Sequence, residues 1–289
     1  MKSTQPSLTA YRAAFARAAH QLLDTPRLID DPIAIKIIGG PDAAEICAHP
    51  ERYRNTHSTS LRAFLVARSK YAEQALAEAV GRGVRQYVIL GAGLDTFAYR
   101  NPYSAQDLVV FEIDHHATQD WKKDRLRSVG IPRPALLKFV ALDFETDKLE
   151  EQLPQVGFKT TEPAFFSWLG VSMYLPGPIV LATLKSVASL AFPGSGIVFD
   201  YQLSPEMLSP RQLLSYEQRA ERVANLGESW KSTFDPGRLH TTLKTLGFSV
   251  EEDLAPQAIN ERFFKDRPDP LSVHGSAHLL KAKIKAGEK

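Results

Sequence analysis

The run Leu90-Gly91-Ala92-Gly93-Leu94-Asp95-Thr96 closes the apolar segment QYVILG (86–91) and holds the first residues whose spacing implies chemistry. Glycines at a strand-to-helix turn let the backbone come close to a ligand, and the helix start offers free N–H groups. Thr96 stands where a dinucleotide fingerprint has its third glycine, which disfavours a nicotinamide cofactor, and no Gly-Lys-Ser/Thr follows to make a P-loop. About 20 residues further on, the spacing at which a ribose-binding acid follows such a turn, LVVFEID (108–114) ends in Glu112 and Asp114. Residues two apart in a strand share a face, so both carboxylates point one way, with Phe111 and Ile113 the other. A third apolar run, LKFVALD (137–143), ends in Leu142-Asp143-Phe144, where an acid can accept from an exocyclic amine and an aromatic can flank a base. Together the three strand ends describe an adenosine site.

The elements that must carry these residues alternate. Short apolar runs at 86–91, 108–114, 137–143, AFFSWLG (164–170) and GIVFDY (196–201) are separated by helical stretches near 117–128, 145–152 and 178–191. That alternation predicts a parallel sheet covered on both faces, with ligands at the carboxyl ends of the strands. Helices are expected over Thr9–Leu23, Ser60–Val80 and Pro210–Leu226, and another after Phe234-Asp235-Pro236, capped by Asp235 and ended by Gly247-Phe248. SVEEDLA and AHLLKAKI (277–284) would complete the sheet. Residues 1–80 read as a helical cap belonging to the same domain as the core, residues 81–289.

With 35 Lys+Arg against 33 Asp+Glu in 289 residues, nothing suggests a polyanion partner, so nucleic acid is not expected. The single cysteine, Cys47, excludes an intrachain disulfide or a CxxC site, suits a reducing cytoplasm and is expected as a small buried residue. Residues Met1 to Leu23 carry basic residues and no acid before Asp24, as organellar transit peptides do, but the spacing of Leu8, Tyr11, Phe15, Ala18, Ala19 and Leu22 fits a helix docked on a core. Pro163 to Leu184 carries no charge and is long enough to span a bilayer, yet Pro176-Gly177-Pro178 breaks it, so a strand, a turn and a helix are predicted and no membrane. His274 and His278 have metal-ligand spacing only if helical, and no metal is expected. His115, His116 and His240 are available as bases, with no catalytic role assigned. Trp230 and Phe263-Phe264 could wall an apolar pocket or belong to the core.

GAGLDTFAYR, then FEIDHH, ALDFE, WLGVSMYL, GESW and the terminal AHLLKA resemble the S-adenosylmethionine-dependent methyltransferases of the leucine carboxyl methyltransferase type, a group that includes polyketide O-methyltransferases. The resemblance covers nearly the whole chain. It implies a Rossmann-like methyltransferase fold, a mostly parallel seven-stranded sheet with the last strand antiparallel and an N-terminal helical cap. By the same resemblance Arg68 pairs with the methionyl carboxylate, and Gly91, Ala92 and Gly93 line the methionine and ribose. Asp114 holds the ribose hydroxyls, with Glu112 as second choice, and Asp143 with the Phe144 backbone reads the adenine. Where the family often has arginine this chain has Phe97, and where the protein carboxyl methyltransferase has glutamate it has Leu169. The expected activity is therefore O-methylation of a carboxylate or phenolic hydroxyl of a small molecule, such as a polyketide-type metabolite, with S-adenosyl-L-methionine as donor. A protein C-terminal carboxyl methyltransferase and a non-catalytic S-adenosylmethionine-binding module are the alternatives. Tyr174, after the fourth strand, is the expected substrate-side residue.

Overall fold

A computed structural model describes residues 6–284. Four helices come first: α1 (Leu8–Leu23), α2 (Pro32–Ile38), α3 (Gly40–Ala48) and α4 (Thr56–Gly81). The core then runs β1 (Gln86–Leu90), β2 (Val109–Asp114), α5 (His116–Ser128), β3 (Leu137–Ala141), α6 (Leu149–Gln152), β4 (Ala164–Trp168), α7 (Gly177–Leu190) and β5 (Gly196–Gln202). It closes with α8 (Pro210–Ala224), α9 (Pro236–Thr245), β6 (Phe248–Leu254), α10 (Pro256–Phe263) and β7 (Ala277–Ile284). The sheet order is β3-β2-β1-β4-β5-β7-β6, and β7 alone runs antiparallel, paired on both sides. The expected Rossmann-like sheet is thus observed.

Central strands read as unbroken apolar runs because both faces are covered; every residue of β1, β4 and β5 is buried. One face packs α6, α7 and α9 around Phe166, Trp168 and Phe199, and the other packs α4 and α10 around Tyr87, Phe165 and Val198. At the edge, β6 carries Glu251, Glu252 and Asp253 and a bulge between Val250 and Glu252, features that blunt an open edge. The strand order reverses between β1 and β4, and the crevice at such a switch point is the ligand position of open α/β sheets.

Of the N-terminal helices, α4 is more than a cap: 14 of its residues are buried, and it packs between α1 and the sheet. Helices α1 and α2 are fastened to the Gly-rich turn by the fully buried Asp31. Its Oδ1 accepts from the Ala34 N–H at 3.1 Å, capping α2, and its Oδ2 accepts from the Thr96 hydroxyl at 2.6 Å. Arg17 and Arg100 lie 3.4 and 3.6 Å from the same carboxylate, and Arg100 also forks onto Glu73.

Two local expectations, a helix from residue 145 and a buried Cys47, are corrected, and two open readings are resolved. Residues 145–148 are not helical, because the Asp143 carboxylate accepts from the Glu145 N–H and Asp147 accepts from the Asp143 N–H, local bonds that compete with helix. Phe263 ends the short helix α10, and Phe263 and Phe264 are core residues rather than pocket walls. Cys47 is exposed, since α3 buries only Ile46. His278 sits in a strand and His274 in a loop, so the helical metal spacing does not arise. The uncharged stretch 163–184 resolves into β4, a turn and most of α7, and no helix among the described residues is long and apolar enough to cross a membrane.

Phe166 is fully buried at the centre of the sheet. Phe166→Ala should cost about 3–5 kcal/mol, read as a lowered urea midpoint with secondary structure retained.

Candidate active site

The first four strand ends open into one cavity of about 510 Å³. Its floor is the turn after β1. Gly91 and Gly93 have φ of 65° and 50°, and a Cβ on Gly91 would stand 2.3 Å from the Val171 side chain. A Cβ on Gly93 would meet that of Ala10 at 3.0 Å, so α1 rests directly on the turn. Only glycine satisfies both the backbone and the contact. Arg17 pins the turn from above by donating to the Leu94 carbonyl at 2.5 Å.

Asp114, at the end of β2, lines the cavity and accepts from the N–H of Gly93 and from that of His115, the latter at 2.7 Å. Burial pushes its carboxyl up to about 6, against the pull of those two N–H groups. Glu112 is placed otherwise than expected. It is outside the cavity lining, 1 % exposed, and its Oε2 accepts from Lys122 of α5 at 2.6 Å. Burial pushes it up to about 7 despite Lys122, and its Oε1 has no partner. The second acid of the pair is therefore a core ion pair facing α5, and only Asp114 reaches the cavity.

Arg68, on α4, lines the cavity and donates to Asp200 at 3.0 Å. Its guanidinium lies where a Gly170 side chain would be, 2.6 Å from that Cβ position, and Asp200 also accepts from the Gly170 N–H. Ala92, Asp143 and Phe144 line the cavity too, with Phe144 6.0 Å from the Trp168 ring. Tyr174 lies in the turn 172–174, faces the cavity, and has its phenol pushed up by burial. The two residues that depart from the family pattern fill apolar space: Phe97 packs edge-on against Tyr87, and Leu169 against the core. Of the candidate bases only His115 lines the cavity; His240 is bonded to Asp253 at 2.7 Å.

Several lining residues were not singled out from sequence. Asp95 is kept ionised: burial raises its pKa, but Arg17, Lys122 and Arg100 more than offset that. The carboxylate of Glu228 accepts from the hydroxyls of Ser7 and Thr9 and from the Leu8 and Thr9 N–H groups, tying the 225–231 loop to the start of α1 as a roof. Trp230, which the sequence offered as a pocket wall, does line the cavity, 5.1 Å from the Tyr216 ring of α8. GESW was visible as a motif, but no local spacing marks Glu228 as a partner for a helix more than two hundred residues away.

With this geometry in place, comparison with known proteins is decisive at the level of family. The leucine carboxyl methyltransferase family model matches residues 10–188. YktD of Bacillus subtilis, named for S-adenosyl-L-methionine-dependent methyl transfer, is 35% identical over 98% of this chain and 99% of its own. A protein of Mycobacteroides abscessus bearing the same kind of name is 32% identical over 86% of this chain and 83% of its own. A Thermobifida fusca crystal structure described as a methyltransferase superposes with a TM-score of 0.60 at 16% identity, covering 99% of this chain and 97% of that one, a likeness of fold. The fold and these relatives are those of an S-adenosylmethionine-dependent methyltransferase. The chain belongs to the leucine carboxyl methyltransferase family.

Removing one partner of a buried ion pair strands the other charge. Lys122→Met should destabilise the protein by about 3–5 kcal/mol at pH 8. The folded-state pKa of Glu112 is raised, so protonation favours the folded form, and the deficit should shrink as pH falls from 8 towards 5. Denaturant titrations at both pH values check this, and adding Glu112→Gln should recover most of the loss at pH 8.

Proposed function

We propose that the protein transfers the methyl group of S-adenosyl-L-methionine to a carboxylate or phenolic oxygen of a small molecule. The observation that carries this reading is the close-approach turn Gly91–Gly93 with Asp114 anchored to it at the mouth of the β1–β4 switch point. These residues fit the donor. Asp114 would accept from the ribose hydroxyls, Asp143 and the Phe144 backbone would meet the adenine, and Arg68 would face the methionine carboxylate. Held by Asp200 at 3.0 Å, the Arg68 guanidinium is already oriented, which reduces the ordering cost of a bidentate contact. When bound, the donor supplies a methyl carbon on a sulfonium, and its departure as a neutral sulfide calls for no general acid.

The chain's own work is then positioning and exclusion of water. The backbone turn sets the depth at which the methyl carbon would lie, and the roof of α1 and the 225–231 loop closes over it. A carboxylate acceptor is ionised at neutral pH and needs no base, whereas a phenol benefits from one. The family is named for methylation of a carboxylate, which supports an oxygen acceptor. A roof hydrogen-bonded to α1 favours an enclosed small molecule over a peptide C-terminus. Tyr174 faces the acceptor side.

An ionised Asp114 accepts from both ribose hydroxyls more strongly than its protonated form, so affinity for S-adenosylhomocysteine should fall as the pH drops below about 6, by at most about tenfold per pH unit. At pH 8, Asp114→Asn should weaken that affinity at least tenfold, equivalent to roughly 1.4 kcal/mol, with unchanged circular dichroism. Calorimetry measures both, and wild-type affinity in the variant would sink the assignment. Methyl transfer from labelled donor into a metabolite extract tests the activity itself; absence of any labelled small-molecule product would refute it.

A further inference from the structure

The cavity has two electrostatic halves. At the β1–β4 end every lining cation has a carboxylate neighbour: Arg17 with Asp31 and Asp95, Arg68 with Asp200, and Lys231 with Glu145 at 2.8 Å. At the other end three arginines from two helices, Arg12 of α1 with Arg219 and Arg222 of α8, line the wall without an acidic partner among the described residues. They surround His57, at the start of α4, closely enough that their charges, after the effect of burial, hold its pKa below the ordinary histidine value. Like charges are not gathered without cost, and no carboxylate among the described residues forms an ion pair with any of the three.

Arg219 is the most specific of the three. Its guanidinium lies across Gly275, where any side chain would collide with it, a Cβ standing 2.2 Å from Nη1. Nε donates to Ser215 and Nη1 to the His274 carbonyl, while Nη2 is buried and has no partner. The Nε1–H of Trp230, also lining the cavity, has the Tyr174 phenol as its neighbour. Buried donors normally have partners, so the free Nη2 of Arg219 in a wall of three arginines points to an acceptor brought by a ligand. Apolar surface from Leu61, Phe64 and Trp230 lies beside them.

We propose that this end of the cavity is an anion subsite for the methyl acceptor, in which Arg219 and Arg222, with Arg12, bind a carboxylate carried on an apolar body. The proposal rests on the methyltransferase reading for the identity of the occupant as acceptor, and what it assigns is the set of side chains that would select an anionic, amphipathic acceptor.

The test uses the full chain saturated with S-adenosylhomocysteine, whose binding is established first by calorimetry. Phenylacetate, 2-naphthylacetate and indole-3-acetate are then titrated by ligand-observed NMR beside their primary amides. The acids should bind about tenfold more tightly than the matched amides, as expected when a charge-assisted fork replaces a neutral bond. Arg219→Gln and Arg222→Gln should each weaken acid binding several-fold, and together bring the acid-to-amide ratio to about one. Arg222→Gln and Arg12→Gln alter exposed side chains and keep the test sound if Arg219→Gln disturbs α8. Arg211→Gln, on the same helix but outside the cavity lining, should leave the ratio unchanged. Acids and amides binding alike, no acid binding at all, or a ratio that survives the double substitution would each overturn the subsite. Failure of S-adenosylhomocysteine to bind would instead overturn the cofactor reading.

Discussion

The site depends on one buried carboxylate. Asp31 joins three parts of the chain: the start of α2, the α1 helix through Arg17, and the turn after β1 through Thr96 and Arg100. A glycine-rich turn with free φ angles is floppy by itself, and Gly91 and Gly93 gain their fixed course from the Asp114 carboxylate, which accepts the Gly93 N–H, and from Val171 and Ala10, which press on them. Pressure from Ala10 requires α1 to be in place, and α1 is placed by Arg17. Thr96, which from sequence argues against a dinucleotide cofactor, thus has a positive role as the hydroxyl that engages Asp31.

Much of this architecture was legible before the structure. Strands buried on both faces must be apolar throughout, so the runs at 86–91, 164–170 and 196–201 announced themselves, and Asp235 accepts from the Arg238 N–H as a helix cap should. The period-two rule placed Glu112 and Asp114 on one face but could not say that Lys122 would claim the first. That pairing depends on how far α5 leans over the strand, which no spacing encodes. The arginines of the acceptor side were invisible for the same reason, since Arg12 and Arg222 are neighbours only in space.

Charge is distributed with a clear logic. Burying Glu112 against Lys122 costs desolvation on both groups, and the pairing offsets only part of it, inside the core and away from any ligand. Asp114, by contrast, is held by N–H groups alone, which favours its ionised form without neutralising it, so a net negative charge faces the cavity. The opposite wall carries the opposite sign. A cavity polarised in this manner orients an asymmetric pair of ligands before any close contact is made.

The helix that bears two of the acceptor-side arginines, α8, buries none of its fifteen residues. It is held by its Ser209 capping box and by the contacts of Tyr216 and Arg219 rather than by a packed apolar stripe. Substitutions along α8 therefore carry little folding penalty, whereas those at Asp31, Gly91 or Asp114 strike the buried scaffold. Donor recognition and acceptor choice are in this way mechanically decoupled. One fold can keep its methyl donor fixed while the chemistry it accepts is rewritten on a surface element that stability hardly constrains.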